Sequence, residues 1–151
     1  MNDSEQATSF RRMVEEIQRQ IDEQARAVYS ATVIEHVYYP QNMGRMQSPD
    51  AGGVFTGWCG DTMEIHLRLD GEWIEEATFM TDGCGPSVAC GSMLTTMVSE
   101  MPLERANEVT AEDLLAALHG LPEESEHCAE LAVSALRAAI VNYRQKVRDS
   151  R

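Results

Sequence analysis

The sequence predicts an α+β fold: a three-stranded antiparallel sheet with helices packed on one face, plus an N-terminal helical extension. Residues 63–69 alternate apolar and polar side chains, the period of a half-buried strand, and Asp70-Gly71 follows as a hairpin signal. After Gly85 the chain reads as helix to its end. Strand-like sequence thus stands in one block and helical sequence in another, the pattern of helices gathered on one sheet face.

Each element has its own warrant. Phe10, Met13, Val14, Ile17, Ile21, Ala25, Val28 and Tyr29 recur at helical spacing, so residues 9–37 form one long helix or two in succession. Pro40, Asn42 and Gly44 end that stretch, and residues 41–52 read as an irregular loop. Val54 to Trp58 is a short strand candidate. Met63, Ile65, Leu67 and Leu69 alternate with Glu64, His66, Arg68 and Asp70 as the second strand, and Trp73 to Thr81 returns as its partner. Pro86 suits a first helical position, with a helix running on through Val88 to Met101 and stopped by Pro102. Thr110 caps a short helix, Ala111 to Leu118, ended by Gly120. Ser125 is the expected cap of a last helix carrying Cys128, Leu131, Ala132, Ala135, Leu136, Ala139, Ile140 and Tyr143 on one face.

Composition narrows the function. A chain of 151 residues suffices for one domain with a real core. A net charge of -13 argues against nucleic acid and against an anionic membrane surface, because no basic stripe is present to meet phosphate. No apolar run approaches the roughly 20 residues that span a bilayer. The opening Met1-Asn-Asp-Ser-Glu5 has neither the basic start nor the apolar stretch of a signal peptide. The expected location is therefore cytoplasmic and reducing, where four cysteines serve as thiols or ligands.

Three of those cysteines sit in small, polar, turn-like settings: Cys59 in Gly57-Trp-Cys-Gly-Asp61, Cys84 in Gly83-Cys-Gly-Pro86, and Cys128 in Glu126-His-Cys-Ala129. Iron and zinc both bind thiolate, and Asp61 or His127 could complete four-coordination. In an extended segment Cys59 and Asp61 would point to the same face. Cys84 precedes a proline-started helix and Cys128 falls in the first turn of the last one. Helix N-termini favour anionic sulfur, although Glu123, Glu124 and Glu126 oppose this at Cys128. Cys90, in Val88-Ala-Cys-Gly-Ser92, reads instead as a core residue. His36 and His66 read as structural or solvated, His119 as a helix C-terminal cation, and Met93, Met97 and Met101 as packing.

These residues resemble the U-type iron–sulfur cluster assembly scaffold family, of the IscU and NifU N-terminal-domain type. Tyr29-Ser-Ala-Thr-Val-Ile-Glu-His36 with Pro40, Asn42 and Gly44 is similar to that family's opening segment. Cys59-Gly-Asp61, Gly83-Cys-Gly85 and His127-Cys128 are similar to its three ligand motifs, in order, and Ala138-Ala-Ile-Val-Asn-Tyr143 to its tail. The resemblance spans about Tyr29 to Lys146, leaving 1–28 as the helical extension and 29–151 as the scaffold domain. It implies no enzyme but a scaffold on which iron and sulfide become a [2Fe-2S] cluster that passes to apo-proteins. It implies Cys59, Cys84 and Cys128 as cluster ligands, Asp61 or His127 as the fourth, and Cys128 as acceptor of persulfide sulfur from a cysteine desulfurase.

The chain departs from the family in three places. A Leu-Pro-Pro-Val-Lys segment that docks a dedicated chaperone is replaced by Leu121-Pro-Glu-Glu-Ser125, with the charge reversed, which argues against that partner. The amphipathic extension packs on a second subunit, giving a homodimer, or on the domain itself. Cys90 is not among the family's usual ligands. The alternative function is a zinc-bound sulfur acceptor, holding Zn2+ on the same residues. That branch carries an insertion before its third cysteine and lacks the histidine, whereas His127 is present here. A nucleobase deaminase would want His-x-Glu and Pro-Cys-x-x-Cys, and a thiol oxidoreductase Cys-x-x-Cys; neither pattern is present.

Overall fold

The computed structural model describes residues 2–151, so residue 1 of the N-terminal extension lies outside the described residues. The predicted N-terminal helix divides in two. α1 (Asp3–Val28) is opened by a capping box in which the Asn2 side chain accepts from Glu5 N while Glu5 reaches back to Asn2 N. Tyr29 and Ser30 then leave the helical conformation. Ser30 starts α2 (Ala31–Tyr38) by accepting from Val33 N at 3.1 Å, and donates its own hydroxyl to Leu118 O at 2.6 Å.

Four strands follow the order β1 (Ala51–Thr56), β2 (Thr62–Asp70), β3 (Trp73–Thr81) and β4 (Met101–Pro102), each antiparallel to its neighbour. The three expected strands are present, and a two-residue fourth adds to the edge of β3. β1 begins earlier than its apolar residues suggest, because Gly52 and Gly53 read as loop. The glycine is needed in the strand: a Cβ on Gly53 would overlap the backbone of Ala139, where α6 (His127–Asp149) crosses. Met63, Ile65 and Leu67 of β2 are fully buried, as the alternation requires. On β3 a bulge opposite Arg68 and Leu69 leaves Glu75 unpaired, so Ile74, Ala77 and Phe79 all face the core despite their uneven spacing.

α3 (Gly85–Val98) and α6 cover this apolar face, with α4 (Leu103–Asn107) and α5 (Ala111–Ala117) packed beside them. α3 stops before Met101 because Ser99 turns out of the helix and Glu100 adopts a left-handed φ of 63°, donating its N–H to Ile74 O. Burial of large side chains such as Phe79, Leu94, Leu136 and Ile140 stabilises the sandwich by about 1.5–3 kcal/mol apiece. The helix-free face is crossed by residues 42–50. Asn42 and Gly44 pair with the edge of β3 at Phe79, Arg45 reaches Glu64, and Asp50 reaches Leu67 and Leu69. The stretch expected to be irregular is thus tied down along its length. Among the described residues no helix is long and apolar enough to cross a membrane.

Candidate functional site

Three connections converge at one end of the sheet. The first, between β1 and β2, is a tight turn: Gly57 N donates to Asp61 O at 2.9 Å, Gly60 N donates to Gly57 O at 3.0 Å, and Gly60 has φ 91°. Cys59 and Asp61 therefore stand on a turn and not on one face of a strand. Cys59 is exposed, and its Sγ folds back to 3.8 Å from the position a Cβ on Gly57 would occupy. Leu131 Cδ1 of α6 lies 3.5 Å from that same position.

The second connection joins β3 to α3. Thr62 N donates to Asp82 Oδ1 at 2.7 Å, Thr81 Oγ1 donates to Thr62 O at 2.7 Å, and Gly83 N donates to Thr81 Oγ1 at 3.0 Å, which fixes this loop against β2. Gly83 is wedged between the other two connections: an added Cβ would lie 2.5 Å from Ser87 Oγ and 3.1 Å from Asp61 Oδ2. Asp61 thus leans over Gly83 beside the start of α3. Cys84 is the N-cap of α3, exposed, with no side-chain capping bond, and Pro86 follows in the first turn.

The third connection leads into α6. Glu123–Ser125 forms a 3-10 turn, so Ser125 does not cap the helix; the N-cap is Glu126, without a side-chain bond. Cys128 lies in the first turn and is fully buried. The Ser87 hydroxyl donates to its Sγ at 3.4 Å, His127 Nε2 lies 3.8 Å from the same sulfur, and the Trp58 ring rests against the His127 ring with centroids 5.1 Å apart. Burial pushes the Cys128 thiol up to about 11; the Ser87 hydrogen bond pulls it down, and Cys84 and Asp61 push it up. At Cys128 burial therefore outweighs the helix N-terminus expected to favour thiolate.

All five candidate residues, Cys59, Asp61, Cys84, His127 and Cys128, border this end of the molecule. Cys90 does not join them: it is fully buried in the core, and burial, with the neighbouring Cys128 and Cys84, pushes its thiol far above the ordinary thiol range. His36 is held by Ser92 at 2.6 Å and His119 by Thr32 at 3.0 Å, away from the thiols. Two participants carried no signal of their own in the sequence. Ser87 could be found only as the residue one helical turn beyond Cys84, and Trp58 only by its place beside Cys59.

Among the described residues no three Cys, His, Asp or Glu side chains are close enough together to hold one metal ion. The donors stand on three neighbouring connections, with two thiols exposed and one buried. Soft sulfur donors from three segments suit a sulfur-bridged iron group, whose several metal atoms spread its ligands, and the hard carboxylate or the borderline imidazole can fill a remaining position.

Comparison with known proteins gives a consistent picture. The family model for the NifU-like N terminal domain matches residues 28–150. The chain is 38% identical over 120 residues to "Iron-sulfur cluster assembly scaffold protein IscU 1" of Archaeoglobus fulgidus, covering 79% of this chain and 78% of that protein. It is 36% identical over 123 residues to "Iron-sulfur cluster assembly scaffold protein IscU" of Escherichia coli strain K12, covering 78% of this chain and 95% of that one. The crystal structure of a nitrogen-fixing NifU-like protein (N-terminal) from Brucella abortus superposes with a TM-score of 0.63 at 17% identity, over 79% of this chain and 96% of that one, which shows the fold.

Proposed function

The chain belongs to the family of NifU-like N-terminal domains, and on that premise we propose that it is a scaffold on which a [2Fe-2S] cluster is assembled and from which it passes to apo-proteins. The observation that carries the reading is the meeting of Cys59, Cys84 and Cys128, from three separate segments, with Asp61 and His127 at one end of the sheet. The cluster is cargo, so the role is to hold and release it, and no turnover chemistry is assigned to the chain.

The three thiols would supply the sulfur ligands, with Asp61 or His127 as the fourth. A hard carboxylate among soft thiolates weakens the hold and eases release. Sulfur would come from a cysteine desulfurase by exchange: the Cys128 thiolate takes the terminal sulfur of the donor's persulfide, and the donor cysteine leaves as thiolate. Cys128 is buried with His127 Nε2 3.8 Å from its sulfur, and the ring of Trp58, 85% exposed, lies tilted against the His127 ring. Sulfur delivery to Cys128 would therefore need its thiol to become accessible, whereas Cys59 and Cys84 are exposed already. Exposed thiols at Cys59 and Cys84 suit a protein that works in a reducing compartment such as the cytoplasm.

The test is anaerobic purification with iron, zinc and acid-labile sulfide analysis and a visible spectrum. Iron and sulfide in near-equal amounts with a red-brown colour are expected. Alanine at Cys59, Cys84 or Cys128 should sharply reduce both, and Asp61→Ala should slow release to an apo-acceptor. One zinc per chain, with no sulfide and no colour after reconstitution, would replace this reading with the zinc-bound sulfur acceptor.

A further inference from the structure

α1 arranges its apolar residues on a seven-residue repeat. With the heptad positions written a to g, Ala7, Val14, Ile21 and Val28 fall at a, and Phe10, Ile17 and Gln24 at d. The alternating steps of three and four run unbroken for three heptads, all within one helix. A helix laid on its own sheet carries a broader stripe at a period of 3.6; a repeat this narrow is the seam of a helix that meets another helix. The seam is uncovered in the single chain. No residue of α1 is buried, and Phe10 is 63%, Ile17 49% and Val28 56% exposed. The helix is locally supported by the Asn2–Glu5 capping box and by Arg19 paired with Glu16 at 2.6 Å, so it is formed and ready before any partner arrives.

We infer that a second copy of this chain covers the seam, the two α1 helices pairing parallel and in register as a short coiled coil. The charge pattern selects the occupant. The e and g positions that flank the seam hold Met13, Gln18, Gln20, Ala25 and Ala27, with Arg11 as their only charge. Two identical seams therefore meet with almost no like-charge contact, in a chain whose net charge of -13 would otherwise keep copies apart. Glu15, Glu16, Arg19, Asp22, Glu23 and Arg26 all fall at b, c or f, away from the seam. A partner of opposite charge would need its complement at e and g, where Arg11 alone is charged. Gln24 sets the orientation. In a parallel, in-register pair its amide lies beside the same amide of the copy and both can be satisfied; in an antiparallel pair it is set among apolar side chains. The β-branched residues Val14, Ile21 and Val28 at a suit a parallel two-stranded seam.

The pairing also places the two thiol sites. Ala25 and Tyr29, at the end of α1, line the same cavity of about 300 Å³ as Cys84. A parallel coil therefore carries both sites at its C-terminal end. The inference does not depend on what those sites hold, and its readout is separate from metal content.

Sedimentation equilibrium of the full chain, from low to high micromolar concentration, tests it. The expected mass is twice 16.8 kDa. Ile17→Asp, and independently Phe10→Glu, should bring it down to the mass of one chain while the thermal unfolding of the domain is unchanged. Gln24→Cys, oxidised, should yield a 24-to-24 cross-link identified by mass spectrometry. Wild-type protein at single-chain mass throughout the range would overturn the inference, as would a mass of three chains or a double mass retained by both variants. Absence of the 24-to-24 cross-link in a dimer would overturn the parallel register.

Discussion

The Ser87 hydroxyl donates to the Cys128 thiol across 3.4 Å, joining the first turn of α3 to the first turn of α6. This bond lowers the thiol's proton affinity while burial raises it, and burial prevails at about 11. Ser87→Ala should therefore move the pH profile of Cys128 alkylation, read residue by residue by mass spectrometry, to higher pH. An unmoved profile would remove Ser87 from the site.

Cys128 also makes folding stability depend on pH. Its proton is held up to about 11 in the folded chain, against 9.0 for an ordinary thiol. Between those values the folded state binds more protons than the unfolded state, so the contribution is complete below the lower value and is lost as pH rises through the higher one. The loss should be about 3 kcal/mol at most. Denaturant unfolding across this window should show a steeper decline for wild type than for Cys128→Ala.

Two adjacent glycines should respond differently to the same change. Gly53→Ala places a methyl into the backbone of α6 at Ala139 and should cost about 3 kcal/mol. Gly52→Ala meets only Ile65 O, at 3.9 Å, and should cost far less. Urea midpoints of the two variants give the comparison, and equal midpoints would deny the close approach of β1 and α6.

Cys90 and Cys84 should separate packing from ligation. Cys90→Ala removes a buried side chain and should lower stability by about 1 kcal/mol with iron and sulfide loading intact. Cys84→Ala, at an exposed N-cap without a side-chain bond, should leave stability nearly unchanged and reduce loading. Loading lost in the Cys90 variant would place that thiol in the site.

Periodicity made the centre of the fold legible. The alternation through Met63, Ile65 and Leu67, the Asp70-Gly71 hairpin and the helical face of α6 all stand where the sequence puts them. What escaped has a common cause: tertiary contacts that a local pattern does not carry. Gly52 and Gly53 look like loop because only the crossing of α6 explains them in a strand. β4 exists because Glu100 turns the chain back towards Ile74, and Ser125 fails as a cap because a 3-10 turn intervenes. The five candidate residues stood out in the sequence because glycine, proline and histidine mark their settings, and the structure sets them on three connections at one end of the sheet. The surroundings of Cys128 and His127 depend on Ser87, which reaches the Cys128 thiol, and on Trp58, which reaches the His127 ring, both arriving from elsewhere in the chain.

The contact between Gly53 and Ala139 joins an early strand to the last helix. The edge of β1 can pair with β2 early, but a ribosome must release nearly the whole described chain before the face that Gly53 presents is covered by α6. The turn that bears Cys59 closes on its own hydrogen bonds, but its packing against Leu131 waits until Cys84 and Cys128 have been synthesised. The contact of greatest sequence separation around this turn is therefore the last that synthesis permits, which sets the closing of β1 against α6 among the late events of folding.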